Sequence, residues 1–361
     1  MERDGLIDWT RPEFLKLKGY SACKNAEALG DAAPKRIVKL DANENPYGSH
    51  PDCYDAIDKI PSLAIYPDAA QTSLKHLAAV HCGCEDDQIV FGAGSSQLIE
   101  YLIRLFVDRD EELINLVPSF AMYQFFSNTN CNKVVNVPRD QNFEIDIDGI
   151  RKAITPKTKL MFIANPNNPT GNVTPIPLIE EALDLGIPTV VDEAYYEFTG
   201  ITALPLMKKY PNLMVLRSFS KFAGLAGLRV GYGIFPKDIA DRLHAIRDPY
   251  NINVAAVAAA KVAIAHYDEL MVNVKKVCVE RDRLLNMLQE ISYLHVYPSK
   301  SNYIMCKVLN GKSATYLQTI LEEQGILTRC FGGVWLENCI RFSIGLPEED
   351  DILMDALKKL E

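Results

Sequence analysis

The chain has 361 residues, of which 48% are hydrophobic and 24% charged, an ordinary globular composition that excludes a disordered or fibrous protein. Its 38 basic and 47 acidic side chains give a net charge of −9, which provides no general attraction to nucleic acid or to anionic membranes. The nine cysteines are scattered without a disulfide framework, so we predict reduced thiols in a cytoplasmic protein. No apolar run is long enough to span a membrane, and Met1–Phe14 lacks the apolar segment of an export signal.

Short apolar runs alternate with helical patterns through the middle of the chain. Near-continuous hydrophobic runs are typical of strands that are buried on both faces of a sheet. Ile99, Leu102, Ile103 and Phe106 share one face of a helix that follows the first run. This alternation predicts an α/β fold, with a large domain built on a mostly parallel sheet. The predicted strands are Gln88–Phe91, Glu112–Val117, Val134–Val137, Leu160–Ala164, Pro188–Val191, Leu213–Leu216 and Arg229–Ile234.

The pattern of the chain changes after Pro249. From Asn253 to Glu290 the sequence is helical and Ala-rich, which predicts a long linking helix. Strand-like runs at Ser301–Lys307 and Cys339–Ile344 then mix with helices, as in a smaller α+β domain. We therefore predict an N-terminal arm (1–45), a large domain (46–250) and a linking helix with a small domain (251–361).

A hydroxyl-rich loop with a lysine follows the strand at 213–216. It reads Ser218-Phe219-Ser220-Lys221, and Arg229 comes eight residues later. A lysine amine can form an imine with a carbonyl compound when burial or a neighbouring cation lowers its pKa. Serine hydroxyls and an arginine can bind phosphate oxygens. Taken alone, the motif is also compatible with a solvated loop that carries an ordinary lysine.

Two further strand ends carry polar residues. Asp192 ends the run Val190-Val191-Asp192, and Tyr195 follows three residues later. An aspartate at the carboxyl end of a parallel strand can bind a protonated pyridine nitrogen and keep that ring electron-withdrawing; it can equally be a helix N-cap. Asn168 lies in Asn165-Pro166-Asn167-Asn168-Pro169-Thr170-Gly171, a turn-forming segment that follows the strand at 160–164.

Gly92-Ala93-Gly94-Ser95 lies between a strand and a helix and is a candidate phosphate-binding turn. It is not a dinucleotide fingerprint, because Gln97 occupies the position of the third glycine. Gly311-Lys312-Ser313 is not a P-loop, because Cys306 occupies the position of its first glycine. Cys82-Gly83-Cys84 is too tightly spaced for a usual zinc site and has no second pair nearby, so we predict no metal.

Together these motifs resemble the signature of fold-type-I pyridoxal-phosphate-dependent aminotransferases, in order and in spacing. The resemblance rests on Asn168-Pro169-Thr170-Gly171, Asp192-Glu193-Ala194-Tyr195 and Ser218-x-Ser220-Lys221-x7-Arg229. Within that superfamily the chain resembles the histidinol-phosphate aminotransferase family of class-II aminotransferases. The segments that carry this closer resemblance are Leu40–Gly48, Tyr66–Asp68, Gly227–Gly231, Pro249–Asn253, Leu327–Arg329 and Ile340–Ser343.

The resemblance implies a role for individual residues of this chain. Lys221 would join the cofactor aldehyde and move the proton, Asp192 would pair with the pyridine nitrogen, and Tyr195 with Asn168 would bind the phenolic oxygen. Phe120 would stack on the ring, where the family usually has tyrosine. Tyr66 would reach the cofactor phosphate of a neighbouring subunit, which implies a homodimer. The implied phosphate ligands are Gly94, Ser95, Ser218, Ser220 and Arg229, and the implied substrate ligands are Tyr20, Asn43, Arg329 and Arg341.

The implied reaction is a ping-pong transfer of an amino group between L-histidinol phosphate and 2-oxoglutarate, in histidine biosynthesis. Arginines suit this pair of substrates, since a guanidinium binds either a phosphate or a carboxylate through two hydrogen bonds. A threonine-phosphate decarboxylase and a broad aromatic-amino-acid aminotransferase remain as alternatives, and a non-catalytic ligand sensor is disfavoured. The chain departs from the family at Ser96 and Gln97, where many members carry acids.

Overall fold

A computed structural model of the protein describes residues 6–17, 19 and 36–361 and contains three β-sheets covered by helices. The α-helices are α1 (Pro51–Asp58), α2 (Thr72–Cys82), α3 (Ser95–Phe106), α4 (Met122–Asn130), α5 (Ile147–Ala153), α6 (Ile176–Leu183), α7 (Lys237–Ile246), α8 (Val254–Ala265), α9 (Tyr267–Leu288), α10 (Ala314–Glu323) and α11 (Pro347–Lys358). The strands are β1 (Val38–Lys39), β2 (Ile89–Gly92), β3 (Glu112–Val117), β4 (Lys133–Pro138), β5 (Thr158–Ala164), β6 (Thr189–Asp192), β7 (Leu213–Ser218), β8 (Gly231–Ile234), β9 (Leu294–Val296), β10 (Tyr303–Val308), β11 (Ile326–Leu327), β12 (Arg329–Phe331) and β13 (Cys339–Ser343). Short 3₁₀ helices occupy Leu6–Trp9, Pro12–Lys16, Asp86–Gln88, Tyr196–Phe198, Leu204–Lys208 and Ala226–Leu228.

The largest sheet has seven strands in the order β2-β8-β7-β6-β5-β3-β4. Only β8 runs against its neighbours, so the predicted mostly parallel sheet is confirmed. Each of the seven predicted runs forms one of its strands. The last of them begins at Gly231 rather than at Arg229, because Arg229 adopts a left-handed conformation with φ +54° that a strand does not accommodate.

Both faces of this sheet are buried, which explains the uninterrupted apolar runs of its central strands. On one face Leu98, Ile99, Leu102 and Ile103 of α3 pack in one apolar cluster with Phe162 and other strand residues. Phe106, the fourth predicted member of that helical face, is half-buried at the edge of the cluster. Burying one such Leu or Ile side chain stabilises the fold by roughly 1.5–3 kcal/mol, so α3 is held firmly at the sheet.

The C-terminal part of the chain forms a four-stranded antiparallel sheet in the order β12-β13-β10-β9. A separate parallel pair joins β1 to β11, so residues 38–39 lie beside residues 326–327. The predicted single linking helix is instead two helices, α8 and α9, separated by His266. His266 has φ −106° and ψ 28°, which interrupts the helical path, and Asp268 and Glu269 provide the acidic first turn of α9.

The topology brings the carboxyl ends of β5, β6 and β7 to one edge of the large sheet, where ligands bind in open α/β folds. Asn168 lies in the loop after β5, Asp192 is the last residue of β6, and Lys221 lies in the loop after β7. Among the described helices, none combines the length and the apolar character that a membrane crossing requires.

Candidate active site

A cavity of about 760 Å³ lies at this edge of the sheet, between the strand-end loops and the four-stranded sheet. Twelve of the predicted site residues line it, although they come from widely separated parts of the chain. These are Asn43, Ser95, Phe120, Asn168, Asp192, Tyr195, Ser218, Ser220, Lys221, Arg229, Arg329 and Arg341.

Asp192 ends β6 with its carboxylate buried at the cavity wall. Burial raises the pKa of this carboxyl to about 6, and hydrogen bonds from the Tyr123 hydroxyl and the Ala194 N–H act in the opposite direction. Those bonds measure 2.8 Å to Oδ2 and 3.2 Å to Oδ1. A cationic group beside the carboxylate would stabilise its charged form further.

Tyr123 is a site residue that the sequence analysis did not identify. It lies in α4, is fully buried, and stacks on Phe162 with 4.5 Å between ring centroids. Burial raises the pKa of its hydroxyl well above the ordinary value, which keeps it a proton donor to Asp192. The available signal was its position three residues after Phe120, which places both aromatic rings on one side of the helix start.

Lys221 and Tyr195 lie on the side of the cavity where the N-terminal segment crosses. The Lys221 Nζ donates a 2.9 Å hydrogen bond to the carbonyl of Ala42 and lies 5.7 Å from the centre of the Tyr195 ring. The Tyr195 hydroxyl accepts a 3.0 Å bond from the side-chain amide of Asn43. Asn43 is itself fixed by Ser343, whose hydroxyl bonds both its N–H and its side-chain oxygen. The ammonium and the phenol oxygen are therefore held by backbone and amide groups that are buried or half-buried.

Another part of the cavity lining has the properties of an anion site. Gly94 precedes α3 with φ +76°, and Ser95 begins that helix, so backbone N–H groups of a helix start point towards the ligand space. The Arg229 Nη2 bonds the Ser96 hydroxyl at 3.2 Å and packs so closely on Gly94 that a Cβ there would lie 2.5 Å from it. Ser218 and Ser220 complete the set of donors; their loop is fixed by a 3.1 Å bond from the Ser220 N–H to the Ser218 hydroxyl.

The two departures from the family at this anion site have defined partners. Ser96 accepts from Arg229, as stated above, and Gln97 Oε1 accepts from the Ala93 N–H at 2.8 Å and from the Asn251 side chain at 2.8 Å. Gln97 therefore connects the glycine turn to the segment before α8. The neutral amide serves as a structural acceptor, which leaves the anion site without a nearby carboxylate at this position.

Arg341 and Arg329 reach the cavity from the four-stranded sheet. They are paired across β13 and β12, so their side chains emerge at the same register position. Arg341 is buried; its Nη1 donates to Asn168 Oδ1 at 2.6 Å and its Nη2 to the Asp41 carbonyl at 2.7 Å. Its Nε is buried and has no partner among the described residues, while Nη1 and Nη2 each carry a second N–H besides these two bonds.

A buried ion pair lies behind Asp192 and Ser218, one residue along the chain from each. Arg217 Nη2 is 3.1 Å from Glu193 Oε2 and donates to the Thr202 hydroxyl at 3.0 Å. Its guanidinium also lies over the Tyr196 ring, at 3.7 Å. Glu193 directly follows β6 and Arg217 is the next-to-last residue of the adjacent β7, so their pairing joins the ends of these two strands beside the cavity.

One predicted ligand lies outside this cavity, and another falls outside the described residues. Tyr66 does not line this cavity: its side chain is 75% exposed and stacks on Tyr250 with 4.3 Å between centroids. That position is compatible with the predicted contact to a neighbouring subunit and excludes a contact within its own cavity. Tyr20 lies outside the described residues.

The chain is similar in sequence to known aminotransferases. The family model "Aminotransferase class I and II" matches residues 35–357. The chain is 51% identical over 352 residues to the histidinol-phosphate aminotransferase of Dehalococcoides mccartyi (strain ATCC BAA-2266 / KCTC 15142 / 195), covering 98% of each chain. It is 40% identical over 354 residues to the chloroplastic histidinol-phosphate aminotransferase of Nicotiana tabacum, covering 96% of this chain and 86% of that one.

A similar architecture is found among solved structures. The histidinol-phosphate aminotransferase of Sinorhizobium meliloti, determined in complex with pyridoxal-5'-phosphate, has a TM-score of 0.87 and 27% sequence identity, with 98% of each chain covered. The histidinol-phosphate aminotransferase of Clostridium acetobutylicum has a TM-score of 0.83 and 29% identity, covering 90% of this chain and 99% of that one.

Proposed function

The chain belongs to the histidinol-phosphate aminotransferase family of class I and II aminotransferases, and we propose that it transfers an amino group between L-histidinol phosphate and 2-oxoglutarate with pyridoxal 5'-phosphate as its cofactor. The observation that carries the proposal is the shared cavity of Asp192, Lys221 and the anion site beside Gly94. A pyridine ring with a phosphate at one end and an aldehyde at its side needs these three partners.

The residues present fit this cofactor. Its phosphate suits the helix start at Ser95 together with Ser218, Ser220 and Arg229, where Gly94 leaves no Cβ in the way of the Arg229 guanidinium. Its ring nitrogen suits the buried carboxylate of Asp192. When bound, pyridoxal phosphate supplies an electron-withdrawing ring that stabilises negative charge on the substrate carbon.

The side chains have separate duties in this reaction. The Lys221 amine holds the cofactor and moves a proton at the substrate carbon. Asp192 stays ionised beside the ring nitrogen, with Tyr123 donating to it. Tyr195 and Asn168 orient the phenolic oxygen, and Phe120 covers one face of the ring. Together these groups keep the reacting carbon close to the lysine while the ring withdraws charge.

Arg341 and Arg329 bind the substrate anion in this proposal. Histidinol phosphate presents a phosphate ester, and glutamate presents a carboxylate in its place. A planar guanidinium donates parallel hydrogen bonds to either anion, so one arginine serves both half-reactions. The place of Arg341 in the cavity lining and the second N–H on each of its Nη atoms support this role. Asn43 and Tyr20 are the remaining proposed substrate ligands.

The assay that tests the proposal mixes the protein with histidinol phosphate and 2-oxoglutarate and measures glutamate. We expect glutamate from the wild type and none above background from Lys221→Ala. Carbon dioxide released from threonine phosphate, or phenylalanine outcompeting histidinol phosphate, would replace this assignment by one of the two alternatives. Borohydride treatment of the cofactor-loaded protein should attach the cofactor covalently at residue 221.

We also propose that the protein is a homodimer in which Tyr66 contacts the cofactor phosphate of the partner. The exposed apolar side chains of Leu63, Ile65 and Tyr66 support this, at 81%, 71% and 75% exposure. Mixing inactive Lys221→Ala with a Tyr66→Ala variant tests it, because a heterodimer would contain one site with neither substitution. Recovered activity supports a contact between subunits, whereas no recovery under conditions of subunit exchange contradicts it.

The cytoplasm is the proposed location. All eight cysteines in the described part of the chain are free thiols, as expected for a reducing compartment. Cell fractionation followed by immunodetection tests this, and recovery of the protein only in an oxidising compartment would contradict it.

A further inference from the structure

A second cluster of ligand-type side chains lies at the start of α1, outside the cavity lining. His50 is the N-cap of α1, Asp52 lies in its first turn, and His266 separates α8 from α9. The two imidazole rings stack with 4.1 Å between centroids and 20° between planes. One ligand atom from each of His50, Asp52 and His266 lies within 4.8 Å of the other two.

The contacts within this cluster favour a bound cation. Both ring nitrogens of His266 face carboxylates: Nδ1 lies 2.7 Å from Glu269 and Nε2 lies 3.3 Å from Asp52. A neutral imidazole carries one N–H, so one of these nitrogens directs a lone pair at a carboxylate oxygen. Either a second proton on the ring or a metal ion between nitrogen and oxygen removes that repulsion.

The two carboxylates lie on opposite edges of the stacked rings. Asp52 Oδ2 faces His266 Nε2 at 3.3 Å and His50 Nδ1 at 3.9 Å. Glu269 faces the other two nitrogens, with 3.1 Å to His50 Nε2 and 2.7 Å to His266 Nδ1. With both rings neutral and protonated on the Glu269 edge, the lone pairs of His50 Nδ1 and His266 Nε2 lie on the Asp52 edge, and that of His50 Nδ1 accepts from the Asp52 N–H.

We propose that His50 Nδ1, His266 Nε2 and the Asp52 carboxylate bind a divalent metal ion of the zinc type. Two imidazole nitrogens and one carboxylate oxygen form a ligand set that Zn²⁺ uses, with water in the fourth position. Glu269 accepts the N–H of each ring on the far side, which is the arrangement that orients metal-binding histidines. The ion replaces the 3.2 Å bond that His50 Nδ1 accepts from the Asp52 N–H.

The site joins two segments that are more than 200 residues apart in sequence. His50 follows Gly48, whose backbone packs against Gly224, in the loop after Lys221. The His50 side chain is only 13% exposed and that of His266 31%, so both rings are held in place before an ion binds. A bound ion therefore ties the start of α1 to the α8–α9 junction and stabilises the folded state.

Co²⁺ titration of the full-length, chelator-treated protein tests the proposal by its visible spectrum. We expect one Co²⁺ per chain, a spectrum of nitrogen and oxygen ligands, and no thiolate charge-transfer band. His266→Gln and Asp52→Asn should each weaken binding by about tenfold or more, since each removes a ligand. His76→Gln is the matched control: His76 pairs with Asp86 at 3.2 Å in an exposed contact.

Thermal unfolding with Zn²⁺ provides a second measurement. The melting temperature should rise with added Zn²⁺ for the wild type and for His76→Gln, and it should not rise for Asp52→Asn. The Asp52 side chain is 53% exposed, so this variant keeps the core intact even where His266→Gln fails to fold. No stoichiometric binding by the wild type, unchanged affinity in Asp52→Asn, or a thiolate band would overturn the proposal.

Discussion

The two walls of the cavity are built in different ways. The sheet-edge wall consists of loops that directly follow β5, β6 and β7, so Asp192 and Lys221 are placed by the strands that precede them. The arginine wall comes from the four-stranded sheet, and Arg341 is held by Asn168 and Asp41, which lie 173 and 300 residues away in sequence. The comparison shows that the groups proposed to bind the cofactor are set by local structure, whereas those proposed to bind the substrate depend on how the two sheets are packed.

The largest effect is expected on the sheet-edge wall, at Asp192 in the cofactor-free protein. Burial raises the pKa of its carboxyl from 3.8 to about 6, so the folded state binds this proton more tightly than the unfolded state. The free energy of unfolding should therefore fall as the pH rises from about 4 to about 6, by about 3 kcal/mol from this group. Urea denaturation of wild type and Asp192→Asn across that range measures the contribution as a difference.

The pH-dependent difference in free energy of unfolding between the wild type and Asp192→Asn should vanish when the cofactor is bound, because a cationic ring nitrogen stabilises the carboxylate. If the difference in free energy of unfolding between the wild type and Asp192→Asn is the same at both ends of this pH range, Asp192 is not the group that causes the pH dependence.

A smaller effect is expected for Gly94→Ala, at the anion site of the same wall. Gly94 has φ +76° and ψ 161°, a conformation that only glycine adopts readily, and an added Cβ meets the Arg229 guanidinium. A strain of 1–3 kcal/mol in the bound geometry corresponds to about 10- to 100-fold weaker binding of pyridoxal phosphate. Equilibrium dialysis measures this affinity.

Gly227→Ala is the matched control, because nothing lies within 4 Å of a Cβ at that position. Equal affinities for the two variants would argue against an anion site at Gly94.

Substitutions in the arginine wall that keep the positive charge should still lower kcat/KM. Arg341→Lys removes the fork that holds Asn168 and Asp41 together, and a lysine ammonium cannot replace two directed bonds. We expect about a tenfold loss in kcat/KM for histidinol phosphate, consistent with the loss of one charged hydrogen bond. Arg329→Lys should cost less, since that side chain is only half-buried. Steady-state kinetics with both substrates measures the loss in kcat/KM for each variant. A larger loss for Arg329→Lys than for Arg341→Lys would contradict the structural argument.

The smallest effect is expected for Tyr123→Phe, which removes one hydrogen bond to Asp192 and keeps the ring. Since that bond lowers the pKa of Asp192, its loss should raise this pKa in the cofactor-free protein and move the fall in the free energy of unfolding to higher pH. Urea denaturation of Tyr123→Phe and of the wild type, without cofactor and across the same pH range, measures this displacement. An equal loss of stability at every pH would instead indicate that the hydroxyl only supports packing.

The sequence predicted most of the sheet-edge wall. Each of its seven runs became a strand of the large sheet because a strand buried on both faces needs an uninterrupted apolar stretch, which is visible locally. Motif spacing also identified Asp192, which directly follows such a run, and Asn168 and Lys221, which lie in the loops after two others. Tyr123 was missed because its contact with Asp192 joins residues 69 positions apart, and its spacing from Phe120 indicates a shared side but not that contact.

The linking segment shows a second limit of prediction from the sequence. Its alanine-rich pattern predicted helix correctly, but the break at His266 reflects one residue's backbone angles and its contacts with Asp52 and Glu269. Helical periodicity continues across such a break, so composition alone does not reveal it.

The amino-acid sequence by itself determined the alternation of strands and helices, the placing of the reactive groups at strand ends and the membership of a family, because these depend on short-range order along the chain. Only the tertiary structure decided that Tyr123 supports Asp192, that Arg341 joins Asn168 to Asp41, and that His50 meets His266. Those pairings are fixed by the packing of elements far apart in sequence, where burial selects one arrangement among many that local propensity allows.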